Sequence, residues 1–147
     1  MRNTEYDYGV ESLFENDYRD AKAYNWRALQ FEKCGEAFSI VFNVASVALE
    51  RYLVALCELY GEEPRNHNFI TLMMTVEQLI KVPPELSKEV KSLDIIFGIC
   101  FLDEYHHGTP LESDAKRTLR MCEDVKKLFD PRKISSIKNA LKSVESY

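Results

Sequence analysis

The sequence predicts an all-α protein, an up-and-down antiparallel helical bundle with four core helices and additional terminal helices. Three observations predict it. Apolar residues recur at spacings of three and four along most of the chain, the period of helices with one buried face. Gly35, Gly61, Pro83, Pro84, Gly108, Pro110 and Pro131 fall between these runs, where helices should stop and start. No segment shows sustained strand alternation closed by hairpin turns. At 147 residues, 46% hydrophobic and 29% charged, the chain suits one packed domain over 1–147.

Residues 1–16 mix Glu5, Asp7, Glu11 and Glu15 with scattered aromatics and show no sustained period, so an N-terminal arm is expected there. From about Asp17 to Lys33, Ala21, Tyr24, Ala28 and Phe31 form the apolar face of a first helix, and Gly35 breaks it. Glu36 to Tyr60 is apolar around most of its circumference, so this helix must lie centrally. Its polar residues Glu36, Ser39, Asn43, Ser46 and Glu50 make a narrow stripe suited to solvent, a dimer partner or a polar groove. Gly61 suits the left-handed position after its end, and Pro64 prevents continuation.

Asn66 or Asn68 caps a third helix whose stripe runs Phe69, Leu72, Met73, Val76, Leu79 and Ile80. Pro83 and Pro84 stop it and start a fourth, with Leu86, Val90, Leu93, Phe97, Cys100 and Phe101 on the buried side as far as Tyr105. Thr109-Pro110-Leu111-Glu112 matches a capping box with proline at the first helical position. The fifth helix that follows would bury Leu111, Ala115, Leu119, Cys122, Val125 and Phe129. Asp130-Pro131 repeats the device for a last amphipathic helix using Ile134, Ile137, Leu141 and Val144.

The formal net charge is -5. Wrapping of DNA is disfavoured, because phosphate-backbone affinity comes from many clustered cations displacing counterions. The basic residues gather only late, at Lys126, Lys127, Arg132, Lys133, Lys138 and Lys142, where a solvated helix face accounts for them. Cys34, Cys57, Cys100 and Cys122 lie far apart with no Cys-x-x-Cys pair, and the N-terminus is acidic and polar. A cytoplasmic protein without disulfides is the expectation. Asn43, Glu50 and Arg51 interrupt the longest apolar stretch, which reads as a core helix and not a membrane span.

The run from Ala45 through Glu50 and Arg51 to Gly61 and Pro64, followed by His67-Asn68-Phe69-Ile70-Thr71-Leu72, resembles the signature of HEPN domains. There a helix with Ala and Glu and a Leu-rich turn ends in Gly, and a loop leads to a His that begins the next helix. Phe101 to Pro110 is similar to the family's segment of Tyr, a short gap and Arg-Tyr-Pro. The resemblance spans about Ala21 to Phe129. It implies a homodimeric bundle of bacterial or archaeal type, often paired with a small nucleotidyltransferase, and in some branches an RNA-cleaving toxin of a toxin-antitoxin pair.

The ribonuclease members use an Arg followed after four to six residues by His, a cation beside the phosphate and an acid/base near neutral pKa. The chain lacks that motif: with histidines only at 67, 106 and 107, the required positions read Tyr60, Gly61 and Glu62, or Ile99, Cys100, Phe101 and Leu102. Catalysis is therefore not the leading expectation.

Two polar groups are candidate ligand sites. Asp103, Glu104, Tyr105, His106 and His107 end the fourth helix; Asp103 shares a face with His106 or His107, which suits a nucleotide base or phosphate. Protonated histidines meeting a helix C-terminus explain the same residues without a ligand. Adjacent histidines diverge by about 100° on a helix, so no metal site is expected. Arg65 and His67, with Asn66 and Asn68, make the second group: cap and loop residues, or an anion site using helix N-terminal amides. Asn43, Glu50 and Arg51 are candidates for a dimer or groove contact, with an intramolecular ion pair as the other reading. No cofactor motif appears. Three functions stay open: a noncatalytic HEPN-like dimer serving a nucleotidyltransferase or a nucleotide- or RNA-related system, a divergent ribonuclease toxin, and a plain protein-interaction bundle.

Overall fold

A helix apolar on most sides cannot face water along its length, and the architecture follows from wrapping it. The computed structural model of the protein describes residues 3–96 and 110–145, the side chains of residues 3–12 and 142–145 apart. Its helices are α1 (Asn3–Lys33), α2 (Phe38–Leu59), α3 (Phe69–Leu79), α4 (Pro84–Lys91), α5 (Glu112–Lys126) and α6 (Pro131–Glu145). Among the described residues there is no strand. The chain is helical again at 93–96.

α2 is the hub, packing against α1, α3, α5 and α6. Every residue from Tyr52 to Leu59 is buried, as are Val41, Phe42, Ala45, Ala48 and Leu49 earlier in the helix. Fully buried alanines, Ala21 and Ala28 on α1 with Ala45, Ala48 and Ala55 on α2, keep both helices slim where they pack closely. Each buried Leu or Phe side chain contributes roughly 1.5–3 kcal/mol of transfer free energy, so α2 carries the largest share of the core. By length and composition Phe38–Leu59 could cross a membrane, but most of its apolar window is buried against neighbouring helices. That burial is what the polar interruptions at Asn43, Glu50 and Arg51 lead one to expect.

The first two helix ends are set by backbone geometry. Gly35 and Gly61 have φ of 78° and 82°, the left-handed region that glycine enters without a Cβ penalty. At the end of α2, Gly61 N donates to Glu58 O and Glu62 N to Cys57 O, the paired bonds of a Schellman turn. The end of α1 repeats it, with Gly35 N to Glu32 O and Glu36 N to Phe31 O. Pro84 occupies the first turn of α4, and Asp130 caps α6 by accepting from Arg132 N at 3.0 Å.

Three expected boundaries differ. The fourth helix, expected to run as far as Tyr105, ends as α4 at Lys91 with a turn at Ser92 before the helical residues 93–96, and 97–105 lie outside the described residues. Residues 3–16, expected as an arm, are the first half of α1. Phe14 within them is fully buried, stacked 5.2 Å from Tyr18, which lies 4.7 Å from Phe129. Long-range aromatic packing supplied what local periodicity did not. α5 begins at Glu112, with Leu111 in place of Thr109 as the cap, and Thr109 lies outside the described residues. Asp114 Oδ2 accepts from Leu111 N at 3.0 Å, so the carboxylate three residues into the helix closes the first turn. Leu111, expected on the buried face, is 65% exposed.

Polar clamps fix α4. Ser87 Oγ donates to Glu77 of α3 at 2.5 Å and Lys91 reaches the same carboxylate at 2.9 Å. On its other side Glu89 accepts from Arg117 and Arg120 of α5. Burial pushes the Glu89 carboxyl up, but these two guanidinium bonds outweigh it and hold the group below its usual range. Phe97, Cys100 and Phe101, expected on the buried side of the fourth helix, lie outside the described residues.

If residues 3–16 belong to the core, Phe14→Ala will cost about 3 kcal/mol in urea unfolding. A free arm would leave the midpoint unchanged.

Candidate functional site

The loop from Gly61 to Asn68 brings His67 back over α2, and the polar residues of the structure converge there. His67 Nδ1 lies 2.8 Å from Glu50 Oε2. Arg51, one residue further along α2 and so turned about 100° around it, bonds Asp17 of α1 at 3.1 Å. Glu50 and Arg51 thus each hold a separate partner within the chain.

A groove of about 490 Å³ opens on the Glu50 side, lined by Asn43, Ser46, Val47, Glu50, His67 and Asp94 among others. Ser46 is buried and its Oγ has no hydrogen-bond partner. A second cavity of about 260 Å³ opens on the Arg51 side, with Asp17, Glu58 and Glu63 in its wall. His67 borders both.

The start of α3 forms the floor of the groove. Asn68 is its cap, Oδ1 accepting from Thr71 N at 2.8 Å, as the sequence allowed. Asp94 supplies the rest: its two carboxylate oxygens accept from Phe69 N at 3.0 Å and Ile70 N at 2.8 Å. These are the amides that an anion would use, so the expected anion site is already filled by the protein's own carboxylate. Arg65 is exposed and lines neither cavity, so it does not join His67 in a site. Asp103, Tyr105, His106 and His107 lie outside the described residues.

Glu58 is the group that sequence reasoning missed. It is 3% exposed in the most apolar part of α2, and its Oε1 has no hydrogen-bond partner. Burial, a hydrogen bond with Asp17 and the charges of Asp17 and Glu63 push its carboxyl up to about 9, against a smaller opposing pull from Arg51. Glu58 therefore keeps its proton at neutral pH. The available signal was spacing: Arg51 and Glu58 are seven residues apart, two helical turns, and so project from one face.

The two buried thiols, Cys57 and Cys122, are poor nucleophiles. Burial, with neighbouring glutamates, pushes Cys57 and Cys122 up to about 12. Cys122 Sγ instead donates to Ala45 O at 3.4 Å. Both act as the small buried hydrophobes expected of them, Cys34 is exposed, and Cys100 lies outside the described residues. Across the core, Asn25 Nδ2 donates to Tyr52 Oη and to Glu123 Oε2, both at 3.3 Å. Among the described residues no group of three or more His, Cys, Asp or Glu is placed to hold a metal ion. No protein-family model matches the chain, nor does any curated protein or solved structure.

Two substitutions test this geometry. Asp94→Ala removes the acceptor of two helix N-terminal amides and will cost about 1–2 kcal/mol in urea unfolding. Glu58 releases its proton in the unfolded chain from about pH 4.5 upward but holds it in the folded protein to about 9. Its contribution to stability is thus complete at low pH and falls across that window. Glu58→Gln, which mimics the protonated carboxyl, will melt higher than the parent at pH 8.5, by on the order of 4 °C, with the gap closing at pH 5 in calorimetry.

Proposed function

We propose that the chain is a noncatalytic HEPN-like module, an up-and-down antiparallel bundle that works as a cytoplasmic homodimer. It serves a nucleotidyltransferase or another nucleotide- or RNA-handling partner. The observation that carries the reading is the pairing of His67 with Glu50 beside Arg51 with Asp17. An acid/base ribonuclease centre needs a histidine and a cation turned toward one phosphodiester. Here each is engaged by a carboxylate, and Asp94, Glu58 and Glu63 add further acidic groups to the two cavities. That surface repels a phosphate chain. The same absence of a catalytic Arg and His at the family's spacing supports the reading from the sequence side.

For the dimer, the support is apolar exposure on the elements flanking the groove. Ile70 and Met74 stand one turn apart on α3, and Ile40 on α2 and Ile95 after α4 are exposed as well. A second copy of the chain would cover them.

Sedimentation equilibrium will give twice the 17.1 kDa chain mass, and Met74→Glu will shift the species toward monomer without lowering the melting temperature. A monomer at every concentration would remove the dimer. Cleavage of a labelled RNA by the parent, lost in His67→Ala, would overturn the noncatalytic reading.

A further inference from the structure

We propose that the cavity between α1, α2 and the α2–α3 loop is a binding site for a primary alkylammonium group, held by the carboxyl groups of Asp17, Glu58 and Glu63. Two carboxyl groups face each other there from different helices, Asp17 on α1 and Glu58 on α2. The buried Glu58 beside the half-buried Asp17 favours a positive charge between them, and a proton or a small cation can supply it. Arg51, also in the wall, bonds Asp17 at 3.1 Å and exerts only a smaller pull on Glu58.

A second observation is independent of the charge count. Glu58 Oε1 is shut off from solvent and meets no hydrogen-bond donor, although Glu58 lines the cavity and is 97% buried by its 3% exposure. A buried acceptor without a donor is costly, and an incoming N–H would satisfy it. Glu63 from the loop adds a third carboxylate to the wall, and Glu62, Arg65 and His67 are the remaining titratable groups of that loop, Arg65 lying outside the cavity wall and His67 being held by Glu50.

Size and lining select the ligand. The cavity measures about 260 Å³, room for a short chain and its head group. Leu13, Val54 and Pro64 form apolar walls that suit methylenes, and the carboxylates suit a compact cation with three donors. A guanidinium is bulkier and would stand beside Arg51. On binding, R-NH3+ takes the place of the Glu58 proton, which leaves to solvent, so one proton is released per amine and no other bond changes. The same chemistry describes a free alkylamine and a lysine side chain of a partner.

The test is isothermal titration of the full chain with n-butylammonium chloride near pH 7, in phosphate and in MOPS, with tetramethylammonium as the control. Comparing the two buffers counts protons. Butylammonium is expected to bind with release approaching one proton, tetramethylammonium to bind at least about tenfold more weakly, and release to fall away above about pH 9. Nα-acetyl-lysine-N-methylamide as a second titrant separates the sources: equal binding assigns the site to a lysine side chain, and its failure beside butylammonium binding assigns it to a free amine. Glu58→Gln, which keeps the neutral carboxyl's shape, is expected to lose the proton release and at least about tenfold in affinity. Glu63→Gln, on the exposed loop, is expected to weaken binding with folding intact. Equal response to both ammonium ions, or butylammonium binding without proton release, would overturn the proposal.

Discussion

The burial of α2 is the constraint on which the rest of the structure depends. Twenty-two residues with an unbroken buried run from Tyr52 to Leu59 leave no face for water over the second half of the helix. Four helices must therefore meet it, and α1, α3, α5 and α6 do. α4 does not touch α2. It is held by its buried Leu86 and Val90 and by polar contacts among Glu77, Ser87, Lys91, Glu89, Arg117 and Arg120. Its position matters because Asp94, just beyond it, closes the N-terminus of α3 beneath the groove.

The same burial creates the chemistry. Glu58 in water would be an ordinary carboxylate. Carried into the core by an apolar helix, it is held neutral, and α1 brings Asp17 to within hydrogen-bonding reach. His67 is placed by the Schellman turn at Gly61, which reverses the chain so that the loop can lie back over Glu50. Charge pairing around α2 is thus a consequence of helix packing, and it gives the molecule an acidic seam between two cavities instead of a cationic surface.

Helix interiors were legible because a 3.6-residue period is a local property: the faces read for α2, α3 and α5 are the buried ones, apart from Leu111. Glycine and proline punctuation was equally readable at Gly35, Gly61, Pro84 and Asp130-Pro131. The start of α1 was not, because Phe14 is buried by Tyr18 and by Phe129, more than a hundred residues away. The α5 cap was misplaced because Thr109-Pro110 and Leu111-Glu112-Ser113-Asp114 both offer a plausible first turn, and the carboxylate of Asp114 decides it. In the site, Glu50, Arg51 and His67 were visible as polar residues in apolar surroundings, but their partners were not. Asp17 lies 34 residues from Arg51 and Asp94 25 residues from Phe69, and only the packed helices bring them into reach; Glu58 lies two turns beyond Arg51 on the same helix, but its burial beside Asp17 is again a product of packing.

Native-state hydrogen exchange tests the central role of α2 most directly, since amides in the most protected unit exchange only through global unfolding. The amides of residues 45–59 should exchange with the free energy and denaturant dependence of the whole protein, and no other helix should outlast them. Exchange of α2 through a smaller opening, while α1 and α5 stay protected, would contradict the account.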